Sequence, residues 1–217
     1  MRRLSKLAGF ALLLLGTAFA ADKTLPDPAS DLDKSAGGKR TAVFAGGCFW
    51  CTEAVFEELA GVNKVVSGYA GGTAETAHYK VVSAGKTDHA EVIQITYDPA
   101  KISYGQLLKV FFGAAHDPTQ LNRQGPDWGR QYRSAIFYAD ADEKRIAEAY
   151  IKQLGEAKIF GQPIVTEVVS LQKFYPAEEY HQDFVKRNPR HPYVVQNALP
   201  KVEKVRREFS GLVKHKS

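Results

Sequence analysis

The chain has 217 residues and a formal net charge of +5, with 44% hydrophobic residues, 24% charged residues and only two cysteines. Arg2, Arg3 and Lys6 supply three of the positive charges, and residues 200–217 carry six basic and two acidic side chains, a net +4. The remaining chain is therefore near −2, which argues against a nucleic-acid-binding protein, because such proteins carry a basic stripe on the folded surface.

Residues 1–20 have the pattern of a secretory signal peptide. Positive residues near the start precede an apolar run that ends in the triplet AFA at 18–20, and we expect cleavage after Ala20. The apolar run is shorter than the ~20 residues that a membrane span needs. The mature protein is therefore expected to be exported and free of the membrane, with the periplasm as its location.

Composition divides the rest of the chain into three parts. Residues 21–39 are rich in Pro, Asp, Ser and Gly and have no apolar period, which predicts a flexible arm. Residues 40–199 number about 160, the size of one ordinary domain. Residues 200–217 are predicted to form a basic, solvated amphipathic helix or tail.

The hydrophobic pattern of the domain predicts strands and helices that interleave without the regular rhythm of a doubly wound fold. We therefore predict a single α+β domain, with a mixed, mainly antiparallel sheet and helices packed on it. The loop at 116–131 is long for a compact domain, and we expect it to be ordered and to fold over another part of the protein. In chain order the elements are strands at 41–47, 62–72, 89–99, 132–140 and 163–171, and helices at 48–59, 103–115 and 140–156.

The two cysteines, Cys48 and Cys51, lie in the stretch GGCFWC at 46–51. Three interpretations compete: a redox pair, half of a metal site, and a structural disulfide. A structural zinc site needs four ligands, and the six histidines of the chain include no closely spaced pair that would complete one. A disulfide that closes so short a loop would add little stability. The redox pair is therefore favoured, and the other two interpretations stay open on these residues alone.

The predicted helix at 48–59 gives the two thiols different roles. If the helix begins at Cys48, its free N–H groups and its dipole favour the thiolate, which predicts a lowered pKa and a nucleophile. Cys51 lies on the same helical face, and a disulfide there would distort the first turn and be easily reduced. Phe49 and Trp50 suit a cage for a small apolar group, with ordinary core packing as the alternative.

Motifs in a characteristic order extend along most of the chain. They are GGCFW at 46–50, GYAGG at 68–72, HAEVIQITYDP at 89–99, SYGQLL at 103–108, HDPT at 116–119, QGPDWGRQYRSAIF at 124–137 and FYPAEEYHQDF at 174–184. In their order and spacing, over residues 41–195, they make the chain resemble the type A peptide methionine sulfoxide reductases, in the subgroup with GCFWC. The resemblance implies a ferredoxin-like α/β sandwich and reduction of the S epimer of methionine sulfoxide.

The resemblance assigns the chemistry of the sulfoxide to four residues. Cys48 matches the nucleophile, which attacks the sulfoxide sulfur and becomes a sulfenic acid. Glu91, in HAE, matches the general acid that protonates the departing oxygen, a task that needs a raised pKa near neutral pH. Tyr79 and Tyr132 match two tyrosines that hydrogen-bond the oxygen, which suits a neutral phenol.

The resemblance also implies how the substrate is held and how the enzyme is recycled. Phe49 and Trp50 match a cage around the sulfur-bound methyl group. Asp127 matches a residue that positions the substrate backbone, and Tyr193 matches a third tyrosine of the pocket. Cys51 is then the resolving cysteine, which forms a disulfide with the nucleophile, since the tail contains no further cysteine.

The partners expected from the resemblance are few. No bound cofactor and no metal are implied, and an external thiol reductant, a thioredoxin-like protein or dithiothreitol, regenerates the enzyme. We expect a monomer that binds neither nucleic acid nor membrane and that repairs oxidised methionine, free or in exported proteins. The rival hypotheses are a thiol-disulfide oxidoreductase that acts on protein disulfides and a non-enzymatic binding module with a structural bridge.

Overall fold

The computed structural model describes residues 25–33 and 37–214 of the chain. The predicted signal peptide at 1–20 lies outside the described residues. Within the described ranges, no helix is both long enough and apolar enough to cross a bilayer.

A six-stranded sheet lies at the centre of the domain, and its strands are the alternating or continuously apolar runs of the sequence. Within the described residues the strands are β1 (Arg40–Gly46), β2 (Val62–Ala70), β3 (Ala90–Tyr97), β4 (Arg123–Gln124), β5 (Asp127–Trp128), β6 (Ser134–Tyr138), β7 (Glu167–Ser170) and β8 (Phe174–Pro176). The sheet has the order β7-β6-β1-β3-β2-β8, and its pairs are antiparallel except for β6 with β7. The predicted α+β fold with a mixed, mainly antiparallel sheet is confirmed.

The helices pack on this sheet, and side-chain hydrogen bonds cap the first turns of two of them. They are α1 (Phe49–Glu57), α2 (Tyr79–Val82), α3 (Tyr104–Val110), α4 (Ala141–Glu156), α5 (Phe184–Arg187) and α6 (Leu199–Glu208). Ser103 and Gln106 form a capping box at the start of α3. Asp140 caps α4, because its carboxylate accepts hydrogen bonds from the N–H groups of Asp142 and Glu143 in the first turn. Five-residue π-helical segments, Phe111–Ala115 and Val194–Ala198, follow α3 and precede α6.

Both faces of the central strands are buried, which explains why β1 is apolar without interruption from residue 42 to residue 46. Phe44 belongs to the main core under the helices, where its ring packs against Phe56, Tyr104 and Phe111. Its neighbour Val43 belongs to a second, smaller cluster on the opposite face of the sheet. Because successive strand residues point to opposite faces, burial on both sides requires apolar residues at every position.

The N-terminal segment differs from its prediction. Residues 21–39 are predicted to be a flexible arm, yet residues 25–33 contact α3 and α4 while remaining free of helix and strand; residues 37–39, the other described part, are exposed. Leu25 and Leu32 pack against the main core. Hydrogen bonds join the Tyr150 hydroxyl to the Pro26 carbonyl (2.8 Å), the Gly105 N–H to Asp31 (2.8 Å) and the Ala29 N–H to Gln153 (3.0 Å). Hydrogen bonds between side chains and backbone groups therefore hold in place a segment whose composition is that of a loop.

The C-terminal segment at 200–217 is also part of the domain, over its described residues, and is not a solvated tail. Val202 and Val205 of α6 are buried. Arg206 forms a paired ion contact with Glu58 at 2.6 and 2.8 Å. The helix is amphipathic as predicted, but its apolar face completes the core against α1.

We predict that a chain that begins at residue 37 is less stable than one that begins at residue 21. The shorter chain loses the exposed and half-buried hydrogen bonds and the two leucine contacts of 25–33, for a loss of roughly 2–4 kcal/mol at about 1 kcal/mol or less per hydrogen bond. Thermal unfolding followed by circular dichroism measures the difference, and a chain that begins at residue 25 serves as the control. Equal melting temperatures for all three chains would contradict an anchored segment.

Candidate active site

A glycine turn carries the chain from the end of β1 to the first cysteine. Gly47 has φ +85°, a left-handed conformation that favours glycine. A Cβ atom at this position would lie 2.4 Å from Cβ of Gln124, in the long loop at 116–131. The second glycine of GGCFWC is therefore required twice, for the turn and for the close approach of the loop. The loop is ordered as predicted, as the hairpin of β4 and β5.

Cys48 stands just before α1 and presents the free end of that helix to a buried carboxyl group. Its φ of −51° and ψ of 120° are those of a helix cap, and its carbonyl accepts the N–H of Cys51 at 3.1 Å. Phe49 is the first residue of α1, and its backbone N–H has no partner within the helix. It donates instead to Oε2 of Glu91 at 3.1 Å. The start of α1 is thus tied directly to β3.

Glu91 is 2% exposed and holds its proton at neutral pH. Burial raises the pKa of its carboxyl group to about 8, and the nearby Asp127 and Cys51 act in the same direction against the hydrogen bond from Phe49. A neutral carboxylic acid beside a thiol can donate a proton to a group that leaves as that thiol attacks. The predicted requirement for a raised pKa is met by the surroundings of Glu91.

The thiol of Cys48 differs from its prediction. The sequence predicted a lowered pKa at the helix start, but burial raises the pKa of Cys48 well above its ordinary value, and a hydrogen bond with Cys51 and the nearby Glu91 add to the rise. The first N–H of the helix donates to Glu91, and the hydrogen bond that lowers the pKa of Cys48 comes from Tyr193. The hydrogen bond from Cys48 lowers the pKa of Cys51 instead. Both cysteines are free thiols in this structure.

The indole of Trp50 is fixed on two sides. Its Nε1–H donates to Nδ1 of His181 at 3.1 Å, and its ring stacks on Phe184 with centroids 3.7 Å apart and an angle of 8°. Burial lowers the pKa of His181, so that the ring is neutral and able to accept this bond. The ring of Phe49 lies 5.0 Å from the same imidazole. The two aromatics of GGCFWC therefore form a wall whose orientation depends on His181.

Two tyrosine hydroxyls lie near Glu91 without protein partners. Burial raises the pKa of both Tyr79 and Tyr132, and the charge of Glu91 adds to each shift. Within the described part of the chain, neither phenol is hydrogen-bonded to another protein group. Glu178 fixes the backbone of Tyr79, since it accepts that residue's N–H at 2.9 Å and also the hydroxyl of Tyr69 at 2.9 Å. Both phenols remain free to donate to a ligand oxygen.

The β4–β5 hairpin and residues 193–201 lie against the thiol pair. The Tyr193 hydroxyl donates to Asp127 and is within hydrogen-bonding reach of both thiols. Its ring meets that of Trp50 edge-on, with centroids 5.9 Å apart. A cavity of about 50 Å³ lies at this place, lined among others by Cys48, Cys51, Asp127, Tyr193, Asn197 and Lys201.

The large hydrophobic side chains that stay exposed lie on the segments that carry this site. Trp128 follows Asp127 in the hairpin and is 67% exposed. The exposed ring of Tyr180 lies with its centroid 6.5 Å from that of Tyr79. Exposed apolar groups in one region mark a contact surface for another molecule. Within the described residues they are Val81, Leu121, Trp128, Tyr180 and Val195.

The structure brings all the sequence-predicted site residues into one region; they are Cys48, Phe49, Trp50, Cys51, Tyr79, Glu91, Asp127, Tyr132 and Tyr193. Sequence reasoning missed His181, which lies in the quoted FYPAEEYHQDF motif but was considered only as a metal ligand. It also missed Lys201, because a lysine in a basic segment carries no distinguishing signal. Within the described residues, no group of His, Cys, Asp and Glu is arranged to hold a metal ion.

Comparisons with known proteins agree on one family. A family model described as peptide methionine sulfoxide reductase matches residues 40–212. The peptide methionine sulfoxide reductase MsrA 2 of Synechocystis is 57% identical over 90% of this chain and 92% of its own length. MsrA of Haloquadratum walsbyi is 58% identical over 78% of this chain and 96% of its own. Reduced Mxr1 of Saccharomyces cerevisiae superposes with a TM-score of 0.65 and 35% identity, over 75% of this chain and 92% of that protein.

We predict that Glu91→Gln stabilises the protein, and more so at high pH. In the unfolded chain the carboxyl group ionises near its ordinary value of 4.5, whereas in the fold it stays protonated up to about 8. Stability present below 4.5 is therefore lost as pH rises towards 8, at about 1.4 kcal/mol per unit. The amide escapes this loss while it can still accept the Phe49 N–H.

Chemical unfolding of wild type and variant at pH 5.5 and 8.5 measures the effect, and the gain is expected to grow by roughly 2–3 kcal/mol between the two. Exposed Glu148, changed to Gln, is the control for loss of a charge. A gain that is equal at both pH values would contradict a buried neutral acid.

Proposed function

The chain belongs to the peptide methionine sulfoxide reductase family, and we propose that it reduces methionine S-sulfoxide through a sulfenic acid on Cys48 and a disulfide between Cys48 and Cys51. The observation that carries this proposal is the hydrogen bond of Glu91 to the N–H that follows Cys48. It keeps a neutral acid beside the nucleophilic sulfur, where the oxygen of a bound sulfoxide needs a proton.

The first half-reaction moves one oxygen atom and two electrons. The sulfur of Cys48 attacks the sulfoxide sulfur and forms a sulfur–sulfur bond, while the substrate oxygen takes up the protons of Glu91 and the thiol and leaves as water. A water molecule then attacks the Cys48 sulfur, breaks the sulfur–sulfur bond and returns a proton to Glu91, so that the products are methionine and the sulfenic acid, with no net proton uptake. Because burial raises the pKa of the Cys48 thiol, attack depends on substrate binding: the positive end of the S=O dipole favours the thiolate beside it.

Two further sets of side chains suit the sulfoxide oxygen and the methyl group of the substrate. The free hydroxyls of Tyr79 and Tyr132, near Glu91, are donors for the sulfoxide oxygen. The wall of Phe49 and Trp50 is apolar and suits the methyl group on sulfur. A sulfoxide with this orientation presents one face of its sulfur to Cys48, which supports selection of a single epimer.

In the second half-reaction the thiol of Cys51 displaces hydroxide from the sulfenic acid, which leaves as water, and the disulfide forms. The two thiols are hydrogen-bonded to each other, so the sulfur atoms are already neighbours, and closing the bond distorts only the first turn of α1. An external dithiol, a thioredoxin-like protein or dithiothreitol, then reduces the disulfide. No bound cofactor takes part in the cycle.

The exposed apolar groups around the site support a polypeptide as the carrier of the sulfoxide. Trp128 lies outside the cavity of the thiols but beside Asp127, where chain flanking an oxidised methionine would pass. We propose that the protein acts as a periplasmic monomer that repairs exported proteins and that it also accepts the free amino acid. The signal-peptide pattern at 1–20 supports this location.

Turnover of the separate S and R epimers with dithiothreitol tests the proposed activity. Reduction of the S epimer alone is the expected result. The rival thiol-disulfide oxidoreductase would reduce a protein disulfide and neither epimer, since disulfide exchange needs no acid at the position of Glu91.

We predict that Glu91→Gln slows the chemical step by about 10² to 10⁴-fold, the usual effect of a positioned acid, with little change in substrate affinity. Single-turnover release of methionine measures this rate. Glu53→Gln is a matched control, because burial raises the pKa of Glu53 to about 8 as well, while its charged neighbours are Glu57, Asp183 and Lys186.

Cys48→Ser sets the baseline of this experiment, because it removes the sulfur nucleophile and should release no methionine. A Glu91→Gln rate within about threefold of wild type would place the acid elsewhere, since a positioned acid is worth far more than that.

We predict that Cys51→Ser still releases one methionine per enzyme but stops at the sulfenic acid. A protein reductant then finds no disulfide to reduce, whereas a small thiol rescues turnover by attacking the sulfenic acid. Mass analysis for one added oxygen on Cys48, together with steady-state rates for each reductant, checks the prediction. Unchanged turnover with the protein reductant would make Cys51 a spectator.

A further inference from the structure

Lys201 lies on the inner side of α6, although most charged side chains of that helix face solvent. Ala198, Val202 and Val205 are buried along one side of this segment. Residues three and four apart share a helix face, and Lys201 follows Ala198 by three positions and precedes Val205 by four. By contrast, the side chain of Arg207 is 70% exposed. The position of Lys201 is one that a basic surface helix would normally give to an apolar residue.

This inward position brings Lys201 to the thiol pair. Its side chain lines the same small cavity as Cys51 and Asp127. Within the described residues it forms no ion pair within 4.0 Å, whereas Lys204, one turn further on, is paired with Glu208 at 3.8 Å. Burial opposes the ionised form of Cys51, and the charge of Lys201 acts against that effect, since it favours the ionised forms of both Cys51 and Asp127. An unpaired cation therefore faces the second thiol.

On the basis of the proposed function, in which Cys51 resolves the sulfenic acid, we propose that Lys201 is an electrostatic positioning residue that, from its place in the shared cavity, favours the thiolate of Cys51 for attack on Cys48. The thiolate sulfur forms the disulfide with Cys48 as the sulfur–oxygen bond of the sulfenic acid breaks. The departing hydroxide takes up the proton that Cys51 released, so that thiol and sulfenic acid give disulfide and water. No further oxidant or reductant is needed.

The other groups that face Cys51 do not replace this cation. Cys48 is a sulfenic acid at this stage and carries no charge. Tyr193 contributes a hydrogen bond, and Asp127 opposes the thiolate. Glu91 is a neutral acid below about pH 8 and opposes the thiolate once it ionises. Among the groups that act on Cys51 in the described part of the chain, the positive charge comes from Lys201.

The test separates the two half-reactions in a single turnover from pH 6 to pH 10. Enzyme is mixed with excess methionine S-sulfoxide without reductant and quenched at intervals. Methionine release reports the first step, and intact mass after alkylation and dimedone treatment distinguishes free thiol, sulfenic acid and disulfide. The variants are Lys201→Met, Lys201→Arg, which keeps the charge, and Arg207→Met, which removes an exposed charge from the same helix.

We expect Lys201→Met to release methionine at the wild-type rate and to form the disulfide about threefold to tenfold more slowly at pH 7. An opposite charge nearby shifts a pKa by about one unit or more, and the greater nucleophilicity of a more basic thiolate offsets part of the loss. The deficit should shrink as the pH rises towards 10, because more of the Cys51 thiol ionises without the cation. Lys201→Arg and Arg207→Met should behave like wild type.

Three results would overturn the proposal: disulfide formation within twofold of wild type at pH 6–8, a deficit that is the same at every pH, or a parallel loss of methionine release. The proposed function fails separately, if wild type releases no methionine. If wild type releases methionine but stays a sulfenic acid, Cys51 is not the resolving residue and the role of Lys201 falls with it.

Discussion

The hydrogen bond between the Phe49 N–H and the carboxyl group of Glu91 is the contact on which the site depends. A helix start has free N–H groups, and a buried carboxyl group needs a donor. The fold lets each satisfy the other, at 3.1 Å, where the end of β1 passes β3. A single hydrogen bond from this N–H does not offset the free-energy cost of ionising a buried carboxyl group, so Glu91 stays protonated. This one hydrogen bond therefore fixes the position of Cys48 next to Glu91, which stays protonated and can act as the proton donor.

The protein places this acid at a position that costs stability. Burial raises the pKa of Glu91 far from its ordinary range, so near neutral pH the fold would be more stable without this acid. Among the described residues, no positive charge beside Glu91 stabilises its ionised form. Hydrogen bonds hold its neighbours in place instead: Tyr69 lies opposite Glu91 in the sheet, and its hydroxyl donates to Glu178. His181 holds the indole beside the nucleophile in the same way. These hydrogen bonds fix the geometry without placing a cation beside Glu91, so the acid keeps its proton.

The sequence predicted the strands and helices well wherever periodicity and burial coincide, as in β3 and α4. It predicted less well where contacts between distant segments decide. The polar composition of 25–33 indicates a loop, but the Tyr150 hydroxyl and Gln153 hold that backbone. The alternation of β3 could not orient Glu91, because both faces of that strand are buried and only the motif identified the residue. The pKa of Cys48 could not be predicted either, since the helix N–H expected to lower it is taken by Glu91.

Two cysteines within four positions create a problem that the flanking elements solve. Thiols this close compete for one proton, so a single environment cannot make each of them the nucleophile in its own step. The fold gives them different neighbours: Cys48, just outside α1, faces the acid of Glu91, while Cys51, inside the first turn, faces the cation of Lys201. In the proposed cycle, the acid serves the step in which a substrate oxygen departs, and the cation serves the step in which a thiolate attacks. On that proposal, α6 belongs to the redox site although residues 200–217 contain no cysteine.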